Sequence, residues 1–204
     1  MNKTVLRALT RMLWPDGDRL AGPQVWCLLD AARDPAIAPM VRQGRLEHAC
    51  LFSGDLHPRL QAAAPYLVHL AAHSPTTDLL LRHGWGKGWG ILAVAPADVS
   101  LDGLRLHFKK LLRVRTEQGG YLGFRYYDPD VLNVYLPTCT GAEARTFFGP
   151  VTRFLAEEHL GAGVRTFDRH AQQLVCDSLS LDALAPEARQ LVTPDLPRTA
   201  PPER

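Results

Sequence analysis

The residues best suited to chemistry lie in and near the stretch FRYYDPDVL, Phe124–Leu132. Arg125, Asp128 and, upstream, His107 concentrate ionisable groups near an expected hairpin. A guanidinium, a carboxylate and an imidazole converging in one cleft would suit a hydrolase or a phosphoryl-transfer enzyme. The same residues also admit a structural reading. On a strand, Leu122, Phe124 and Tyr126 point one way and Gly123, Arg125 and Tyr127 the other. Asp128 then falls at the strand's end, and Pro129 suits the first turn of a following helix, so Asp128 reads as its N-cap. An arginine packed against other elements needs acceptors, and Asp30 and Asp128 are the candidates. The structural reading, a strand-to-helix junction fixed by a cap and an ion pair, is preferred.

Other segments invite chemistry and resist it. GWGKGWG, Gly84–Gly90, combines glycines with Lys87, but Gly88 stands where a phosphate-binding loop needs Ser or Thr. The order helix, glycines, strand is also the reverse of a dinucleotide site. A tight connection that lets Trp85 and Trp89 pack over backbone is expected instead. His69 and His73 have a spacing that a helix could offer to zinc, yet PYLVHL reads as a strand and no third ligand is evident. No G-x-S-x-G is present. Cys139, near an expected helix start, is the best-placed thiol, but no base can be assigned to it and a structural cysteine is preferred. In HFKKLLRVR, His107–Arg115, the cations Arg105, Lys109 and Lys110 fall away from Leu104, Phe108 and Leu111. That is a solvated face, open to an acidic partner or, less favourably, to RNA with Tyr121, Tyr126 and Tyr127 for stacking.

The elements that must position these groups follow from periodicity. An amphipathic helix carrying Val5, Leu6, Leu9 and Leu13, with the loop after it, occupies residues 1–23. Strands are expected at Val25–Ala32, around Glu47–Phe52, at Pro65–Leu70 and at Trp89–Ala95. Helices are expected at Thr76–His83, with Ser74 or Thr77 near its cap, and after Asp98 or Ser100. LLRVRT and YLGFRYY form a hairpin across Glu117–Gly120. Helices follow through Leu136, at Thr140–Phe148 and at Val151–His159. VRTFDRHAQQLV reads as strand, Pro186–Val192 as a last short helix, and 194–204 as a loose proline-rich tail. The fold class is therefore mixed α/β: an N-terminal mixed sheet with flanking helices over 24–151 and a more helical C-terminal lobe over 152–193.

Bulk properties narrow the function. Of 204 residues, 46% are hydrophobic and 22% charged, which suits a folded body. A net charge of +2 gives no global field for nucleic acid. The four cysteines lack any C-x-x-C pairing and suit reduced thiols in the cytoplasm. No stretch has the length of a membrane span. Nothing calls for a cofactor or a metal.

The segments LLDAAR (Leu28–Arg33), APYLVHL (Ala64–Leu70), GWGKGWGI (Gly84–Ile91), LRLHFKKLLRVR (Leu104–Arg115), FRYYDPDVL and FFGPV (Phe147–Val151) occur in series. Together they resemble the type VI secretion effector adaptors, or effector chaperones, known as domain of unknown function 4123. The resemblance spans about Val25–Val151. It implies a non-enzymatic protein of Gram-negative bacteria that binds an effector toxin in the cytoplasm and helps load it onto the C-terminal end of the spike protein VgrG. It also implies that Asp30, Trp85, Trp89, Arg125, Asp128 and Pro129 are the family's structural motif; the candidate partner surface, Arg105, Lys109 and Lys110, comes from the solvated helix face and not from the resemblance. The C-terminal third is then expected to set which effector is bound. The adaptor stands first, an enzyme using His107, Arg125 and Asp128 second, and an RNA-binding module third.

Overall fold

Strands whose every residue is apolar are expected where a sheet is covered on both faces, and the chain uses its longest apolar runs in this way. The structure, a computed structural model, describes residues 1–181 apart from 2, 16, 18–21, 117, 171 and 172. Its element order is α1 (Lys3–Leu13), β1 (Gln24–Asp30), α2 (Ile37–Gln43), β2 (His48–Cys50), α3 (Pro58–Ala62), β3 (Pro65–Leu70), α4 (Pro75–Gly84), β4 (Gly90–Ala95) and α5 (Leu101–Leu111). There follow β5 (Arg113–Arg115), β6 (Tyr121–Gly123), α6 (Pro129–Tyr135), α7 (Gly141–Phe148), β7 (Arg153–Glu158), β8 (Gly163–His170) and β9 (Gln173–Ser180). Seven strands make one sheet in the order β2-β3-β1-β4-β7-β8-β9, and β5 with β6 makes a separate two-stranded ribbon. Every pairing is antiparallel.

Alternation along β1 divides the core in two. Val25, Cys27 and Leu29 join one cluster with Leu6 and Leu9 of α1, Ile37 and Val41 of α2, and Leu80 and Leu81 of α4. Trp26 and Leu28 join the other, with Leu104 and Phe108 of α5, Leu132 of α6, and Phe147 and Phe148 of α7. The sheet is thus the middle of three layers, and each apolar helix stripe has a face to bury against.

Helix starts follow local chemistry. Ser100 accepts from the Gly103 amide at 3.2 Å, and Asp128 accepts from the Asp130 amide at 3.1 Å with Pro129 at the first helical position. Thr140 and Glu143 form a reciprocal capping box.

The mixed α/β class holds, with three corrections. The sheet is antiparallel throughout rather than mixed. The helix expected at Val151–His159 is strand β7, and Arg153–Ser180 carries three strands of the same sheet where a helical lobe was expected. The hairpin is present, but its second strand stops at Gly123, so Phe124–Tyr127 is not strand. Helices α2 and α3 had no counterpart in the sequence reading. The expected helix at Pro186–Val192 and the tail at 194–204 lie outside the described residues.

Candidate functional site

The site begins where β1 ends. Asp30 is 1% exposed, and its backbone amide donates to the Trp89 carbonyl at 2.7 Å. A tight turn follows, in which the Ala32 amide donates to Asp30 Oδ1 at 3.1 Å and the Arg33 amide to the Asp30 carbonyl at 3.0 Å. The turn swings Arg33 back beside Asp30, with Nε and Oδ2 4.0 Å apart. From the other side, the Arg125 guanidinium pairs directly with Asp30 Oδ2. The Arg125 side chain is 51% exposed, so a half-solvated cation neutralises a carboxylate that has almost no water of its own.

Asp128 has two roles, one for each oxygen. Oδ1 caps α6, and Oδ2 takes the Arg33 guanidinium. The chain reaches this point through a turn, with the Asp128 amide donating to the Arg125 carbonyl at 3.0 Å and both Tyr126 and Tyr127 buried. Asp30, Arg33, Asp128 and Arg125 therefore close on one another and clamp the end of β1 to the start of α6. The hydrogen bond to Asp30 raises the Arg125 pKa. Burial raises that of Tyr127, and the Asp30 charge adds to it.

The glycine-rich loop is a second tie. Gly86 and Gly88 have φ of +83° and +66°, a left-handed backbone that glycine adopts without a Cβ penalty. Both amides point at Glu157 of β7. Gly88 donates to Oε1 at 2.6 Å and Gly86 donates to Oε2. Glycines that could have cradled a phosphate hold the chain's own carboxylate. Burial raises the Glu157 pKa against the lowering effect of these two amides. The Trp85 indole donates to the Gly161 carbonyl at 3.0 Å, Trp89 is buried, and Lys87 lies over the Trp89 ring at 6.0 Å.

The structure brings together Asp30, Arg125, Asp128 and Pro129, but not His107. Its Nε2 lies 2.8 Å from the Phe147 carbonyl of α7, and its ring packs beside Gly149. Burial pushes its pKa below 6.5. His69 sits on β3 with its ring centroid 4.6 Å from that of Trp26, and His73 lies exposed beyond the strand's end. Among the described residues, no group of three or more metal-ligating side chains occurs. Burial raises the Cys139 pKa, although the residue sits next to the cap of α7. Of the three tyrosines offered for stacking, Tyr126 and Tyr127 are buried and Tyr121 is exposed.

The basic surface also divides. Arg105 turns inward, donating to the Cys50 carbonyl at 2.8 Å and so covering the edge strand β2. Lys109 donates to Ser53 Oγ at 2.6 Å, and Lys110 is exposed.

Sequence reasoning gave no role to two residues of the site. Arg33 lies three positions after Asp30, inside the quoted LLDAAR, and that spacing was a usable signal. Glu157 carries no such signal, because the apolar spacing of its segment is that of a helix.

An antiparallel sheet between two helical layers, tied by buried carboxylates, is the class of scaffold this site defines. The profile of the family described as Domain of unknown function (DUF4123) matches residues 25–146, more than half of the chain, and the protein belongs to that family. Searches of curated proteins and of solved structures return no match. No described helix is long and apolar enough to cross a membrane.

Proposed function

We propose that the protein is a cytoplasmic adaptor, or chaperone, that binds a type VI secretion effector and helps load it onto the C-terminal end of the VgrG spike. Family membership supports the reading, as does the resemblance of the motif series to such adaptors. The observation that carries it is the commitment of the motif's ionisable groups to one another. Arg125 is held by Asp30, Arg33 by Asp128, and the glycine-loop amides by Glu157. A scaffold uses such groups to fix its shape and leaves recognition to its surfaces. An enzyme working through His107, Arg125 and Asp128 would need them to converge, whereas His107 bonds to α7.

The test is affinity capture of the tagged chain from a strain that is actively secreting. A toxin and a spike protein should be recovered together. Recovery of neither, from a well-folded bait, contradicts the proposal.

A further inference from the structure

We infer that the groove between the β5–β6 ribbon, the end of α5 and the loop after β2 docks an extended segment of the cargo protein, one that alternates apolar and acidic side chains. The inference rests on the adaptor reading for the partner being a protein, and it adds to that reading a recognition surface and a ligand chemistry.

The groove has a volume of about 800 Å³. Leu51, Phe52, Leu56 and Leu112 line it together with Tyr121 and Leu122 of β6. Tyr121 is 70% and Leu122 60% exposed, so large apolar side chains face water beside an apolar floor. The ribbon has three residues on each strand, all exposed, and pairs with no further strand. Both its outer edges thus offer main-chain donors and acceptors to an added strand.

Charge specifies the ligand further. Lys109 and Arg113 line the groove, with Lys110 adjacent to Lys109 and Arg115 two residues beyond Arg113 in the chain. Among the described residues none of the four has an ion-pair partner. Asp55, in the loop that forms one wall, is the acidic residue of that loop. The two lining cations beside an apolar trough complement a ligand with carboxylates flanking its apolar side chains. A single-stranded nucleic acid would meet the same charge but needs a row of aromatic faces, and Tyr121 is the exposed aromatic here.

The test uses the full chain and a fluorescein-labelled decapeptide of alternating leucine and glutamate, read by fluorescence polarisation. Saturable binding is expected. It should be lost when the peptide's glutamates become lysines or its leucines serines, and it should not be displaced by oligouridine RNA. Lys109→Glu with Arg113→Glu should weaken it by about tenfold or more, and Leu122→Asp should do likewise, with the thermal melt unchanged because these side chains are exposed. Absent binding, unaltered affinity in the charge-reversed variant, or displacement by RNA would each overturn the inference. A second arm compares cargo capture by the wild type and the charge-reversed variant. Cargo held by both removes the groove and leaves the adaptor reading standing, whereas cargo held by neither, with the peptide still bound, removes the adaptor reading instead.

Discussion

Removing either arginine that faces Asp30 should cost modestly, and removing both should cost more than the sum of the two. In Arg125→Ala, Asp30 keeps the Arg33 Nε at 4.0 Å and the Ala32 amide at 3.1 Å, and water can enter where the half-exposed guanidinium stood. The loss is then that of one charged hydrogen bond, about 1.5–3 kcal/mol. Arg33→Ala strips Asp128 of its cation, but the Asp130 amide remains on Oδ1, so a loss of about 1.5–3 kcal/mol is again expected. With both gone, Asp30 is a 1%-exposed carboxylate holding one backbone amide. Stranding such a charge costs about 3–5 kcal/mol by itself. The double variant should therefore lose about 1–2 kcal/mol more than the sum of the singles. That total approaches the whole stability of a typical domain, about 5–15 kcal/mol. Urea unfolding followed by the fluorescence of buried Trp26 and Trp89 measures each corner of the cycle. The cycle repeated with Asp30→Asn, where no charge can be stranded, should lose the excess. Additivity within about 0.5 kcal/mol in the Asp30 background would refute the argument.

Three further outcomes are expected. Gly90→Ala should yield no folded protein, because an added Cβ would overlap the Leu28 carbonyl oxygen across the β1–β4 ladder; soluble expression with a cooperative melt would contradict this. Tyr126→Phe should lower stability by about 1–1.5 kcal/mol, read by urea midpoint, through loss of the buried hydroxyl's 2.8 Å bond to the Phe108 carbonyl. His107 is held neutral by burial, with its folded pKa below 6.5, so the unfolded chain binds more protons as pH falls. Its contribution is present above pH 6.5 and is lost as pH drops through the folded value. Melts from pH 7 to 5 should show a shallower acid loss in His107→Gln than in the wild type.

The sequence made legible those elements whose pattern is local. The β1, β3 and β4 runs, the Ser100 cap and the Asp128–Pro129 start of α6 all depend on residues adjacent in the chain. β7 has the pattern of a helix because Phe154 and Leu155 are consecutive and both buried, one in each core cluster. A strand covered on both faces has no alternation, and its apolar spacing imitates a helix. The period of two broke at FRYY for a related reason. The chain turns there, and tertiary packing buries Tyr126 and Tyr127 side by side while leaving Arg125 at the surface. The Asp30–Arg125 pair was foreseeable from the charge balance of two junctions. The Arg33–Asp128 pair was not, since it depends on the turn after β1 reversing the chain, nor was the Glu157 cradle, which needs β7 beside β4.

The decisive experiment is effector export from a strain lacking this chain. The toxin should disappear from the medium while the spike protein is still released, and the wild-type gene should restore its export. Toxin export undiminished by the deletion would contradict it.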